Sequence, residues 1–408
     1  MRARGQQTRR TPNEVRRLLL VAARTEFRVH GYPRTSTQNV ADAAGVNETL
    51  LFRHFQSKAN LFDEAVLQPI VTTVEETFAE WAGDRPITSQ DPAGELTSLI
   101  VILRTALADR RSDLVALIEA QAYAPELGPL LDRVDGQLRE QGPALRSAAR
   151  RTDLIAGPGR ARAVLNFVVA MVAFRPDTIR AGQATGDGSL PEANADGPGA
   201  AEGFRSSRVD HRGRELRRVI CVHAGEAFAE AGYKKTTTRA IAARASTAES
   251  TIFRYFRDKT ELFDEAVVKP FLADVEAFTE RWVNHRPIER DSDDRVALFL
   301  DALHQFLVDR RRTILVLFTV DEFGASAERT GRALDICTDL LLRAVSECAC
   351  PADSTEKIRR SVAADVLAVA LGSAVLDDSP AGNTRRVLAE EITRVVLRGT
   401  ASTDLLPQ

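Results

Sequence analysis

A chain of 408 residues is longer than one hydrophobic core usually grows, so two or more domains are expected from length alone. Aliphatic residues and arginine dominate over four tyrosines and two tryptophans, a balance that disfavours a β-sandwich or barrel and makes all-α the expected class. The net charge of −2 hides a polarity: residues 1–60 and 205–260 each carry +7, leaving −16 for the rest, so two basic segments in an acidic body suggest two contacts with a polyanion.

The first predicted element runs over Glu14–His30, where Val15, Leu18, Leu19, Ala22, Ala23 and Phe27 form a helical stripe that begins after a proline and ends at Gly31. Thr35 and Gln38 then have capping-box spacing, which predicts a short second helix through Val40, Ala41 and Ala44. Ala44-Gly45-Val46-Asn47 supplies a small-residue turn and a cap for a third helix, Glu48–His54. Two short helices joined in this way are a helix-turn-helix, with the second expected in the major groove. Gln56-Ser57-Lys58 breaks the third helix and opens a long fourth, from Ala59 to Trp81, with Pro69 inside it. Further helical patterns follow near 94–111, 112–122, 126–150 and 160–174.

Residues 181–203, rich in Gly, Ala, Asp and Pro, have no helical periodicity and read as a flexible linker. Beyond it the sequence starts again. Phe27–Pro69 aligns without a gap on Phe228–Pro270 at an offset of 201, with nineteen of forty-three positions identical, including the run LFDEAV at 61–66 and 262–267. The match continues through Trp81/Trp282 and the Arg-Pro-Ile triplets at 85–87 and 286–288 to Asp-Arg-Arg at 109–111 and 309–311. A period this long is a domain duplication, since solenoid units run to about 20–50 residues.

The second copy repeats the plan over Arg214–Glu230, Thr238–Ala245, Glu249–Tyr255 and Thr260–Trp282, with later helices near 293–312, 314–323, 327–348, 356–376 and 384–398. The last has no counterpart in the first copy. The turn glycine becomes Ser246, and Ser246 with Glu249 offers a capping box in its place. The expected division is therefore 1–57 (first DNA-binding domain), 58–180 (first helical regulatory domain), 181–207 (linker), 208–258 (second DNA-binding domain) and 259–400 (second regulatory domain).

TSTQNVADAAGVNETLLFRHFQSKANLF and TTTRAIAARASTAESTIFRYFRDKTELF resemble the helix-turn-helix of TetR-type regulators: a Thr-rich cap, an Ile/Val-Ala pair, an Ala-Gly-Val-Ser-like turn, an aromatic-rich third helix and a Lys opening helix four. The likeness covers about 45 residues of each copy. It implies a DNA-binding regulator, by preference a repressor relieved by a small apolar effector acting through the fourth helix, with Pro69 and Pro270 as pivots. It also implies that Lys58 and Lys259 meet phosphate at a helix N-terminus.

The expected DNA-facing residues are Thr37, Gln38, Asn47, Glu48, Thr49, Leu50, Arg53 and His54 in the first copy. In the second they are Thr238, Arg239, Ala248, Glu249, Ser250, Thr251, Arg254 and Tyr255. Arg9-Arg10 with Arg16-Arg17, and Arg212 and Arg214 with Arg217-Arg218, flank these surfaces as basic arms. Leu51, Phe52 and Phe55 are expected to pack inward, and Phe52 and Phe253 to be core. Because the two sets present different donors and acceptors, one molecule is expected to read two different half-sites of double-stranded DNA.

Phe78, Trp81, Leu103, Leu107 and Tyr123 are candidate walls of an effector pocket, with ordinary core as the competing reading. In the family resembled, the last two helices of each unit pair between units, which leaves an intrachain pseudo-dimer, the favoured arrangement here, or a homodimer. No phosphate loop, HExxH or nucleophile elbow is present, so no enzyme is expected, and no cofactor or metal. Four cysteines, with Cys348-Ala-Cys350 the one close pair, are expected to be inert. The longest apolar runs, Val164–Phe174 and Val366–Leu376, are about half a bilayer span, and no secretory signal opens the chain, so a cytoplasmic protein without membrane contact is expected. The rival reading is a protein-interaction scaffold in which one copy, the second because of Ser246, no longer binds DNA.

Overall fold

The computed structural model describes residues 11–83, 92–133, 211–284 and 292–319, with residues 168, 169, 172, 173, 339, 364, 368, 370–372, 374 and 375. Among these the chain is helical and has no strand. The expected linker, the helices near 160–174, 327–348, 356–376 and 384–398, most of that near 126–150, and Cys348 and Cys350 lie wholly or mostly outside the described residues. No described helix is long and apolar enough to cross a membrane.

In the first copy α1 spans Pro12–Arg34. Thr11 caps it by accepting a bond from the Glu14 amide, and Pro12 sits in the first turn, where its missing N–H costs nothing. Its buried stripe is Val15, Leu19, Ala22, Ala23 and Phe27, and its helical dihedrals break at Gly31, where φ is 71°. A side chain there would be strained and would collide with the Glu119 carboxylate, so glycine serves both backbone and packing. Two short helices follow, α2 (Thr37–Ala43) and α3 (Glu48–Phe55). They close over a core of Leu19, Phe27, Val40, Leu51, Phe55, Leu61 and Phe62.

The fourth helix begins at Lys58, one residue before its expected start, and has three parts: α4 (Lys58–Phe62), a π-helical turn (Asp63–Leu67) and α5 (Gln68–Gly83). The π turn lies just before Pro69. Proline has no N–H to give the preceding turn, and its ring presses on the carbonyl four residues back, which is Ala65; the wider turn makes room for it. The corresponding run before Pro270, which differs from it at two positions, gives the same result, so the disturbance expected at both prolines takes the form of a π turn.

The body of this copy continues with α6 (Pro92–Leu107) and α7 (Arg111–Tyr123). Helix α5 packs on α6, while α7 packs directly against α1 and so joins body to head.

The second copy repeats these elements as α8 (His211–Lys235), α9 (Thr238–Arg244), α10 (Glu249–Tyr255), α11 (Lys259–Phe263), a π turn (Asp264–Val268), α12 (Lys269–Asn284), α13 (Ser292–Val308) and α14 (Arg311–Thr319). Its α8 breaks at Gly232, φ 77°, as α1 does at Gly31. The aromatic trio holding helix one to helix four also recurs: Phe62 stands edge-on to Phe27 and Tyr32, both at 5.1 Å, and Phe263 to Phe228 and Tyr233 at 5.2 and 5.0 Å.

The copies meet along α7 and α14, with α1 touching α8. Tyr123 lies 3.4 Å from where a β-carbon on Gly232 would stand. Lys234 reaches Glu119 at 3.6 Å, with side-chain exposures of only 12% and 8%.

Candidate nucleic-acid interface

Each head presents α3 or α10 on a turn whose geometry is set by one residue. Gly45 has φ 62°, and Ser246 takes its place at φ 51°. The serine accepts the left-handed conformation instead of capping the next helix: α10 is capped by Ala248 without a side-chain bond, so the expected capping box does not form. Flanking hydrogen bonds hold Ser246 there, since the Ser246 and Thr247 amides bond to the Ala243 and Ala242 carbonyls as those of Gly45 and Val46 bond to Asp42 and Ala41.

The cap of the second helix also differs from expectation. Ser36, one residue later than predicted, caps α2 by accepting from the Asn39 amide at 3.0 Å. The Thr35 hydroxyl instead donates to the Glu26 and Gly31 carbonyls at the end of α1, and Thr236 does the same to Ala227 and Gly232. Asn47 caps α3 as expected, through the Thr49 amide at 2.8 Å.

On the recognition helices Leu51 and Phe55 are buried, but Phe52 is 44% exposed and Phe253 51%. The assignment of both to the core was wrong for a geometric reason. Leu51 and Phe55 are four residues apart and share one face, whereas Phe52 is rotated about 100° from Leu51 and faces outward. Strong local hydrophobicity concealed this register.

The expected site residues divide into outward and braced groups. Gln38, Asn47, Thr49 and Arg53 are exposed, as are Arg239, Ala248, Ser250 and Arg254, while Leu50, His54, Thr251 and Tyr255 are half-buried. Thr37 donates to Glu48, and Thr238 to Glu249, so these two pairs tie helix two to helix three. The Gln38 amide bonds to Asp42 at 2.8 Å, whereas the equivalent position holds the exposed Arg239.

Lys58 and Lys259 are half-buried, each ammonium 4.2 Å from the ring centre of Tyr32 or Tyr233, and Lys259 also donates to the Tyr233 carbonyl at 2.6 Å. Burial pulls Lys259 down to about 8, with nearby Arg34 of the first copy acting in the same direction. Lys58 is lowered by burial too; Glu126 opposes that shift and Lys235 of the second copy adds to it. These lysines therefore face the junction of the two heads as well as the start of helix four. Of the basic arms, Arg16 and Arg217 are engaged internally, pairing with Glu64 and Glu265 and lying over the Phe55 and Phe256 rings at 5.3 and 5.2 Å. Arg9 and Arg10 lie outside the described residues.

The heads are joined to their bodies differently. Asp113 of α7 is fully buried and receives Arg24 and Arg28 of α1, with Arg28 Nε at 2.6 Å and Arg24 Nε at 3.1 Å. Burial alone would raise the Asp113 carboxyl; hydrogen bonds and charge from the two arginines outweigh it and hold the group below its ordinary value. The corresponding residues in the second copy are Gly225, Ala229 and Thr313, so this particular clamp has no counterpart there.

Phe78, Trp81, Leu103 and Leu107 are buried in the first body. Tyr123 lines a cleft of about 450 Å³ between the copies, together with Ile118, Gln121, Arg312 and Leu315. A family model described as bacterial regulatory proteins, tetR family, matches residues 19–65 and again 220–266, from the middle of helix one into the π turn in each copy.

Proposed function

From a chain that belongs to the TetR family, with its DNA-binding unit present twice in tandem, we propose a repressor that holds both readers in one molecule, binds an operator of two unlike half-sites and is released by a small molecule. That it is a DNA-binding transcriptional regulator follows from the family; the asymmetry, the sign of regulation and the effector are our reading. The observation that carries it is the divergence of outward positions on a shared scaffold: Gln38, Asn47 and Thr49 against Arg239, Ala248 and Ser250. Side chains of this kind read base edges, and amide and guanidinium groups favour different bases. Contacts between α7 and α14 and between α1 and α8 support pairing of the heads within one chain. The left-handed Ser246, which gives the second turn the form of the first, supports two working heads against a scaffold with one.

Selection of bound fragments from a random DNA pool tests this reading. Two dissimilar half-sites about one helical turn apart are expected; a perfect palindrome bound by a single chain would overturn it. Arg239→Ala should weaken only the half-site of the second copy, by about 1–3 kcal/mol if the arginine contacts a base.

A further inference from the structure

The joint between head and body in the first copy gathers more positive charge than its carboxylate neutralises. Arg24, Arg28 and Arg110 all surround Asp113, Arg24 by Nη2 at 2.5 Å, Arg28 by Nε at 2.6 Å and Arg110 by Nη1 at 3.9 Å. The acid is wholly enclosed, while the three arginine side chains keep 36%, 28% and 25% of their surface exposed. Asp113 is thus spent on the inner side of the cluster. Burial and the repulsion of Arg24 and Arg28 hold Arg110 below its ordinary value, against the attraction of Asp113 and Glu76. Donors remain as well as charge. Asp113 takes Nε and Nη2 of both head arginines, and Thr73 takes Nε of Arg110 at 2.9 Å, which leaves Nη1 of Arg24, Nη1 of Arg28 and Nη2 of Arg110 without an acceptor among the described residues. The second copy has no such surplus: Gly225 and Ala229 replace the head arginines, and Arg310 pairs one to one with Asp274, which stands where the first copy has Thr73.

We propose that the outer edge of this cluster binds a phosphate-type dianion, as the inorganic ion or as the phosphate of a monoester, and that the site exists in the first copy alone. Three guanidinium groups around one carboxylate leave two positive charges, which match a dianion in sign and number. Shape agrees with charge. A guanidinium is a rigid planar fork of five donors, so a group that spends one edge on a carboxylate still offers another to a second oxyanion. The bound phosphate would join Arg24 and Arg28 of the head to Arg110 of the body from outside, as Asp113 joins them from within. The contact between α1 and α7 should tighten in consequence. The cluster stands where helix one meets the body, on elements other than the α2 and α3 that carry the outward DNA-facing residues. Neither the binding nor the tightening depends on the proposed function.

The test titrates the full chain with inorganic phosphate by calorimetry, at constant ionic strength with chloride as the background ion. Saturable binding is expected in the natural chain. Arg110→Gln should weaken it more than about fivefold, while Arg310→Gln, the twin change in the second copy, should leave it within about twofold. Equal binding in all three chains would put the phosphate on some other surface, the DNA-facing ones included, and overturn the site. So would the absence of binding at millimolar phosphate. Amide hydrogen exchange gives a second measurement that needs no variant: in the natural chain phosphate should slow exchange in α1 and α7 and leave α8 and α14 unchanged. Equal slowing in both pairs, or none in either, overturns the proposal. Glycerol phosphate separates the two sources. It should compete with the inorganic ion for one site, with the tighter of the two marking the form that the site takes, and failure to compete would refute a shared phosphate site. A chain that binds phosphate here but no DNA would refute the proposed function and leave this site intact.

Discussion

Both copies tie helix one to the π turn by an ion pair, Arg16–Glu64 and Arg217–Glu265, but the first adds a buried clamp between α1 and α7 whose residues become Gly225, Ala229 and Thr313 in the second. In the first, one buried carboxylate gathers two arginines from helix one, while Arg110 on the body side donates to Thr73 at 2.9 Å. In the second, Arg310 keeps its place and pairs with Asp274 of α12 at 2.7 Å. Both arrangements set the body arginine beside a carboxylate, Arg110 at 3.9 Å from Asp113 and Arg310 at 2.7 Å from Asp274; they differ in whether that carboxylate also receives arginines from helix one. Exchange of an acid and a threonine between facing helices, with loss of two arginines, removes the clamp without altering the helical plan around it.

The largest effect should come from breaking the clamp. Asp113→Ala leaves Arg24 and Arg28 without the buried carboxylate and should cost about 3–5 kcal/mol in urea unfolding, whereas Thr313→Val should change stability by under about 1 kcal/mol. Similar costs in the two copies would refute the distinction. The pH dependence gives the same contrast. Because the folded Asp113 carboxyl lies below its ordinary value, its contribution is fully present above the unfolded value of about 3.9 and disappears as pH falls through the folded one. Melting curves recorded from pH 5 downward should therefore be less acid-sensitive in Asp113→Asn.

Next in size is the pair of kink glycines. Gly31→Ala brings a β-carbon within 2.1 Å of the Glu119 carboxylate, while Gly232→Ala meets only the Tyr123 ring at 3.4 Å. Both force a β-carbon into a positive-φ, extended conformation (ψ 160°) that is essentially confined to glycine, at about 1–3 kcal/mol, and Gly31→Ala should exceed its twin by the cost of displacing the Glu119 side chain, measurable as a lower melting temperature. Smaller still, Ser246→Gly should stabilise the second head by about 1 kcal/mol and Gly45→Ser should weaken the first by a similar amount. Smallest, Phe52→Ala and Phe253→Ala should each shift folding stability by less than about 0.5 kcal/mol, since both rings face outward. A larger loss would return those rings to the core.

The duplicated plan was legible because its signals are local and occur twice. Gly31 and Gly232 end helix one, Asn47 caps helix three, and the spacing of Leu51 and Phe55 buries one face. What escaped was of two kinds. Adjacent hydrophobic residues do not declare which of them faces inward, so Phe52 needed the helix register to be placed. Side chains that meet across long separations, such as Arg24 and Asp113 at 89 residues apart, leave no trace in spacing. A position-by-position comparison of the copies held the one available signal, since Arg24, Arg28 and Asp113 are lost together in the second.

The contact between Glu119 and Lys234 stands once in the molecule. Their equivalents are Thr319 and Pro33, which cannot form an ion pair. In an assembly of two identical chains related by a two-fold axis, every contact occurs twice and every substitution is felt twice. Joining the units in one polypeptide removes that constraint. A substitution at one side of this junction is met by a different surface at the other, so the halves can change one at a time.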